Sequence, residues 1–333
     1  MSRDDQDAAE PDQLDGALHP REQFAFFGHQ EGEGAFLEGL RGGRLHHAWL
    51  IGGPQGIGKA TLAYRVARAV LDPRKSSDPG LNSLDVSPDA PASRQVAALS
   101  HPNLSVLRRA PASDKKAASA TIPVDAVRRA LSMFGSTAAD GGYRVCIVDS
   151  AEDLTISSAN ALLKVIEEPP PRSLFLVVSH APQRVLPTIR SRCRRLLLRP
   201  LDERDIRAAI ASLGSPWAEI PGEVIDQALR YGEGSVRRTL ELLDADKVSF
   251  IDQVTRLLDG LPKTDTKQVF ALAEALARRD ADDSYELTLE TVQRWVSERL
   301  HQRAGLGASR LAPLVEVCDK IGRTAREIDV FNL

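Results

Sequence analysis

No apolar run in the 333 residues approaches the roughly 20 residues that cross a bilayer, so a transmembrane helix is not expected. The start of the chain also lacks the basic flank and apolar stretch of a secretory signal. Met1–Pro20 is instead acidic and rich in Asp, Ala and Gln, the composition of a disordered tail on a cytoplasmic protein. Cysteine is scarce. Cys146, Cys193 and Cys318 lie far apart, with no CxxC pair and no histidines at ligand spacing, which argues against a disulfide framework or a zinc site. Neither sign of charge is in large excess. A formal net charge of −3 gives no global attraction to nucleic acid, so any contact with DNA needs a local patch or a larger assembly.

What is present is the composition of a folded protein, 42% hydrophobic and 27% charged. At about 100–200 residues per domain, the length allows two or three domains. From Phe24 to about Pro200, short apolar runs alternate with helical stretches, the pattern of a parallel sheet covered by helices. Strands are predicted at Ala48–Ile51, Leu104–Leu107, Val145–Val148, Leu174–Val178 and Arg195–Leu198. Asp72–Pro102 and Pro111–Thr121, rich in small, polar and proline residues, read as loops or insertions. After the third strand, Ala159, Leu162, Leu163 and Ile166 recur at helical spacing, with Ser157 or Ser158 as cap and Pro169-Pro170-Pro171 as stop. Beyond Pro200 the strand signal ends. Asp205–Leu213, Gly222–Tyr231 and Ser235–Leu243 read as short helices, and longer amphipathic ones follow at Lys267–Arg278, Ser284–Arg303 and Ala308–Ile328. The expected division is a tail over 1–20, an α/β domain over 21–200, a small helical domain over 201–247 and an all-helical domain over 248–333.

Gly53-Pro54-Gln55-Gly56-Ile57-Gly58-Lys59 has the glycine spacing of a phosphate-binding loop and lies between a strand and a helix-forming run, as that motif requires. Successive backbone N–H groups of Gly53, Gly56 and Gly58 and the helix N-terminus can cradle phosphate oxygens, with Lys59 as a point charge. The plainer alternative is a glycine-rich strand-to-helix turn. The next position departs from the motif: Ala60 stands where Ser or Thr would put a hydroxyl on magnesium. Thr61 carries one, but a step of one residue turns a helical side chain by about 100°. Tyr143–Asp149 reads as a buried strand ending in a carboxylate, where a P-loop enzyme keeps a magnesium-holding aspartate; the plainer alternative for Asp149 alone is a carboxylate that caps the following turn. Ser150 and Ala151 then separate Asp149 from Glu152, so a water-activating glutamate directly after the aspartate is missing.

Together with the short helices after Pro200, three stretches resemble the AAA+ subunits of bacterial DNA polymerase III clamp loaders. They are Ser157–Pro170, the Ser191-Arg192-Cys193 motif within Pro187–Cys193, and Gly234-Ser235-Val236-Arg237. Gly43–Trp49 and the run from Ala159 through Glu167-Glu168-Pro169-Pro170 bring the resemblance nearest to the delta-prime members, over Phe24 to about Leu243. The resemblance implies an AAA+ P-loop domain, a helical lid and a C-terminal collar-type oligomerisation domain. It implies that Arg192 enters the ATP site of an adjacent subunit, and that Arg237 touches a nucleotide in its own chain. Gly53, Gly56, Gly58, Lys59, Thr61, Asp149 and Arg237 would form a weak or vestigial ATP/Mg site. Read as residues alone, Arg192 fits a basic loop solvating the sheet edge, since Arg190, Arg194 and Arg195 crowd it, and Arg237 fits a solvated helix arginine beside Arg238. Many relatives carry a four-cysteine zinc module after the P-loop helix, yet no cysteine lies between Met1 and Tyr143, so no zinc is expected. The implied partners are the motor (gamma/tau) and delta subunits and, through the complex, the sliding clamp and primed DNA, with no membrane. Ala60 and Ser150 favour a non-motor subunit over a working ATPase, while the intact glycines and Lys59 favour the ATPase. A DNA-binding protein acting alone would need a basic stripe or a DNA-binding motif, and neither is visible.

Overall fold

The computed structural model describes residues 13–303, apart from 15, 79, 111–118, 136–140 and 278–281, and scattered positions between 312 and 323. Most of the tail, most of Pro111–Thr121 and most of the helix expected at Ala308–Ile328 therefore lie outside the described residues. Two compact units divide the chain, Met1–Glu241 and Leu242–Leu333.

The first unit is built on β1 (Ala48–Gly52), β2 (Leu104–Leu107), β3 (Arg144–Asp149), β4 (Ser173–Ser179) and β5 (Arg194–Leu197). These form a five-stranded sheet in the order β2-β3-β4-β1-β5, with every pairing parallel. All five predicted strands are present, each within a residue or so of its expected bounds. β1 and β4 are buried at every position, as strands covered on both faces must be. Side chains alternate between those faces. Trp49, Ile51, Val145, Ile147, Leu174 and Leu176 enter one core, while Leu50, Cys146, Val148, Phe175 and Val177 enter the other.

Against the first face lie α1 (Gln30–Arg41) and α2 (Lys59–Leu71), joined by the segment after α2. That segment is not the plain loop its composition suggests. It contains α3 (Pro73–Ser76) and α4 (Pro91–Ala97) and buries Leu81, Leu84, Val86 and Val96. Arg65 of α2 pins it through Asp85 at 2.5 Å while also pairing with Glu33 of α1 at 3.0 Å. The second face carries α5 (Val124–Leu131), α6 (Ile156–Glu167) and α7 (Pro187–Arg192). Thr155, rather than Ser157 or Ser158, caps α6 by accepting the Ser158 N–H at 3.1 Å. Ser158 is buried inside the first turn, where its hydroxyl donates to the Ile122 carbonyl at 2.6 Å.

After β5 come α8 (Glu203–Ser212), α9 (Gly222–Leu229) and α10 (Val236–Glu241), the three short helices that were expected. Asp202 caps α8, and Ser235 caps α10 by accepting the Arg238 N–H at 3.2 Å. The second unit holds α11 (Ala245–Asp259), α12 (Thr266–Leu276) and α13 (Asp282–Arg303), and its described residues are helical or connecting. Val248, Ile251 and Val254 bury one face of α11, and Asp259 at its end accepts from Trp295 and pairs with Arg299, both at 2.8 Å.

The body of the first unit begins before Phe24. His19 is 3% exposed and meets the Tyr64 ring edge-on at 5.9 Å, although composition assigns it to the tail. Buried Arg68 donates to the carbonyls of Arg21 at 3.0 Å and Gln23 at 2.9 Å, which ties this segment to α2. Trp217 donates its indole N–H to the Gly16 carbonyl at 2.9 Å.

Candidate functional site

In an open parallel sheet, a ligand crevice forms beyond the carboxyl ends of the strands, where connections diverge to opposite sides. Here β1 ends at Gly52 beside Ser179 of β4 and Leu197 of β5, while Asp149 ends β3 beside Val178. The chain leaves β1 through the glycine loop and enters α2 at Lys59. A cavity of about 200 Å³ opens at this point. Gln55–Thr61 and Asp149 line it, together with Phe26, His180 and Arg237. The fold thus brings together Gly56, Gly58, Lys59, Thr61, Asp149 and Arg237 of the sequence-derived set. Arg192 does not line the cavity.

The loop's glycines are required by geometry. Gly53 has φ 147° and a Cβ there would stand 2.6 Å from the Leu198 carbonyl oxygen; at Gly56, φ 74°, it would stand 2.3 Å from the Ser235 hydroxyl. Gly58, φ 98°, is the left-handed N-cap of α2. The cradle is also anchored from two sides. Gly56 accepts the Val236 N–H at 3.0 Å and the Arg237 N–H at 3.4 Å from the start of α10. The ring Nε2 of His29 lies 2.8 Å from the Ile57 carbonyl. Burial lowers the His29 pKa below the ordinary 6.5, helped by the nearby Lys59 charge, while the Ile57 carbonyl and Asp205 oppose the shift.

Lys59 is 3% exposed, and its ammonium folds back to donate to the Pro54 carbonyl. Burial pushes its pKa down to about 8, against the attraction of Asp149 and Glu152. A buried ammonium at a helix N-terminus beside left-handed glycines fits an anion such as a polyphosphate. The magnesium side fits less well. Ala60 offers only a methyl group, and Thr61 on the next step of α2 also borders the cavity. Arg237 contributes its backbone to the loop, while its guanidinium reaches Glu241 one turn on at 2.8 Å.

Glu152, displaced from the aspartate in sequence, does not line the cavity, but its charge reaches Lys59 and favours the charged ammonium. Burial acts to raise its pKa, but donors outweigh that: the Ser179 hydroxyl, the Ala181 N–H and, at 2.7 Å, the Ser150 hydroxyl hold it below the ordinary 4.5. A carboxylate engaged by three donors is a weak proton acceptor. Ser179, the last residue of β4, is one of the donors that fix it. Only the pairing of β4 with β1 and β3 reveals this contact.

Arg192 sits instead at the end of α7, in a helix rather than the basic loop the sequence suggests. Ile189 and Cys193 are buried beneath it, while the arginine side chain is 39% exposed and pairs with Glu167 of α6 at 2.8 Å. Among the described residues no group of three or more metal-ligating side chains occurs, and no helix is long and apolar enough to cross a membrane.

Compared with known proteins, residues 29–202 match the family described as DNA polymerase III, delta subunit. The chain is 33% identical over 238 residues to DNA polymerase III subunit delta' of Pseudomonas aeruginosa, covering 70% of this chain and 67% of that protein. It is 34% identical over 257 residues to DNA polymerase III subunit gamma/tau of Mycobacterium tuberculosis, covering 73% of this chain. The match spans 40% of the length of that gamma/tau relative. Among solved structures, a gamma subunit-related protein of Thermotoga maritima aligns at a TM-score of 0.37 and 17% identity, over 86% of this chain and 91% of that one. The RuvB Holliday junction branch migration motor of Thermotoga maritima aligns at 0.42 and 16% identity, over 85% and 80%.

Proposed function

This chain belongs to the DNA polymerase III delta-subunit family, whose fold here is the AAA+ α/β arrangement, and from that premise we propose that it is a non-motor, delta-prime-like clamp-loader subunit. In this reading it docks beside motor subunits of the gamma/tau type and a delta subunit in the cytoplasm. It helps the assembly place a sliding clamp on primed DNA, and lends Arg192 to a neighbour's ATP site. Its own loop holds nucleotide weakly or is vestigial, and no zinc is bound.

One observation carries the reading: the phosphate cradle is complete in its backbone while the groups that would run hydrolysis are not available. Ala60 has no hydroxyl for magnesium, and Glu152, the acid nearest to Asp149 in the chain, is already engaged by three donors. Were ATP and magnesium bound, they would supply the leaving group and its charge neutralisation. The chain's own contribution would be Lys59 and the loop N–H groups on phosphate oxygens, with Asp149 toward the metal. Arg192 acts elsewhere. A guanidinium on an exposed helix end can stabilise charge on a phosphate across a subunit boundary, since its planar fork matches the oxygens.

A working ATPase is the second reading, favoured by the intact glycines, by Lys59 and by the similarity to gamma/tau. Co-purification with a gamma/tau-type motor subunit, with ATPase measured on the isolated chain and on the complex, separates the two. The non-motor reading requires hydrolysis only in the complex; hydrolysis by the isolated chain at a motor's rate supports the second.

A further inference from the structure

We propose that Glu167 is a positioning residue for Arg192: its carboxylate orients the guanidinium before the neighbouring subunit arrives. The inference rests on the reading of Arg192 given above. α7 is itself well fixed, because Ile189 is 1% and Cys193 8% exposed in the core that also contains Leu162, Leu163 and Ile166 of α6. The arginine beyond them is a long side chain at the surface, and left alone it would sample many rotamers.

Its terminal nitrogens are nevertheless held. Nη1 donates to the Thr188 carbonyl at 3.1 Å, with the Ser191 hydroxyl at 3.4 Å, and Nη2 pairs with Glu167 at 2.8 Å. The Thr188 and Ser191 contacts lie within α7, so they fold the side chain along its own helix. Glu167 is different, being the last residue of α6, and it alone of these three relates the guanidinium to another element of the domain. The C-terminal end of α6 also favours a cation, through the unsatisfied carbonyls of its last turn. An arginine has five N–H donors, and these contacts leave the Nε edge for a second anion.

An arginine set in this way gives up less freedom when a phosphate reaches it, so the benefit falls on turnover at the neighbour's site rather than on assembly. Both partners are partly exposed, at 39% and 44%, so the pair is worth at most a factor of about five. Glu167→Gln should slow that site about two- to fivefold, leaving the KM for ATP and the thermal midpoint unchanged. Glu167→Asp should recover part of the rate.

The test is a double-mutant cycle in the reconstituted loader, reading clamp- and DNA-stimulated ATPase for wild type, Glu167→Gln, Arg192→Ala and the pair. Support is a loss with Glu167→Gln that disappears in the Arg192→Ala background. If Arg192→Ala slows hydrolysis while Glu167→Gln does not, the pair is only a surface contact; the proposal fails and the arginine's role stands. Equal losses in both backgrounds mean that Glu167 acts on something else, which also overturns it. No effect of Arg192→Ala removes the reading of the arginine and this proposal with it.

Discussion

Replacing Lys59 by Met should make the isolated chain more stable, because the fold holds an ammonium where burial disfavours it. The depression of its pKa from the ordinary 10.5 to about 8 means that charging it costs about 3 kcal/mol more in the folded than in the unfolded chain, at about 1.4 kcal/mol per pH unit. A methionine of similar reach loses the bond to the Pro54 carbonyl, worth about 1 kcal/mol net, so about 2 kcal/mol of gain remains at pH 7. For a unit the size of Met1–Glu241 that is roughly 4–8 °C in the thermal midpoint. The sign with pH follows from the protons bound. Between about pH 8 and 10.5 the unfolded chain keeps a proton that the folded Lys59 has released, so wild-type stability rises there relative to the variant. Below about pH 8 the difference is flat. Paired melts of wild type and Lys59→Met at pH 7 to 10 would show a gain for the variant that shrinks as pH rises. A variant that melts lower at pH 7, or a gap that ignores pH, refutes the account of Lys59 as a cation kept at a cost to stability for an anion.

Truncation to Phe24 should destabilise the first unit by about 1.5–3 kcal/mol or more, measured by urea unfolding, because it removes the two carbonyls to which the buried Arg68 guanidinium donates; a neutral truncation contradicts that. The isolated chain should show little or no ATP hydrolysis, and a magnesium-dependent turnover near the common enzyme value of about 10 s⁻¹ contradicts the non-motor reading. Elemental analysis of purified chain should find no stoichiometric zinc, whereas one equivalent would mean that ligands other than a four-cysteine module hold it.

The sheet was legible because buried strands and the glycine loop carry their own periodicity and spacing, and both survive without tertiary information. Asp72–Pro102 was not legible, since Leu81, Leu84 and Val86 lie in irregular chain, where burial against the core leaves no helical or strand periodicity. The cap of α6 moved to Thr155 because three hydroxyls compete there and the choice rests on Ser158 finding the Ile122 carbonyl. His19 hid in a stretch of disordered composition, as one contact with Tyr64 leaves no pattern in sequence. Of the candidate site, the P-loop, Asp149 and Arg237 could be read from motifs. Glu152 with Ser179, and Glu167 with Arg192, could not, because each pair joins elements whose approach is set by the sheet or by helix packing.

The central claim is that this chain serves a neighbour's chemistry, and Arg192→Ala tests it most directly. The arginine is exposed at the end of α7, a helix held to the core through Ile189, so the substitution should leave the midpoint of the isolated chain nearly unchanged. In the assembled loader it removes a guanidinium from one ATP site, a contact whose counterparts in GTPases are worth about 10³–10⁵ in rate. With several sites in the ring, summed ATPase should fall in part, and clamp loading onto primed DNA should fall further. Unchanged ATPase and unchanged loading in an intact complex would contradict the claim.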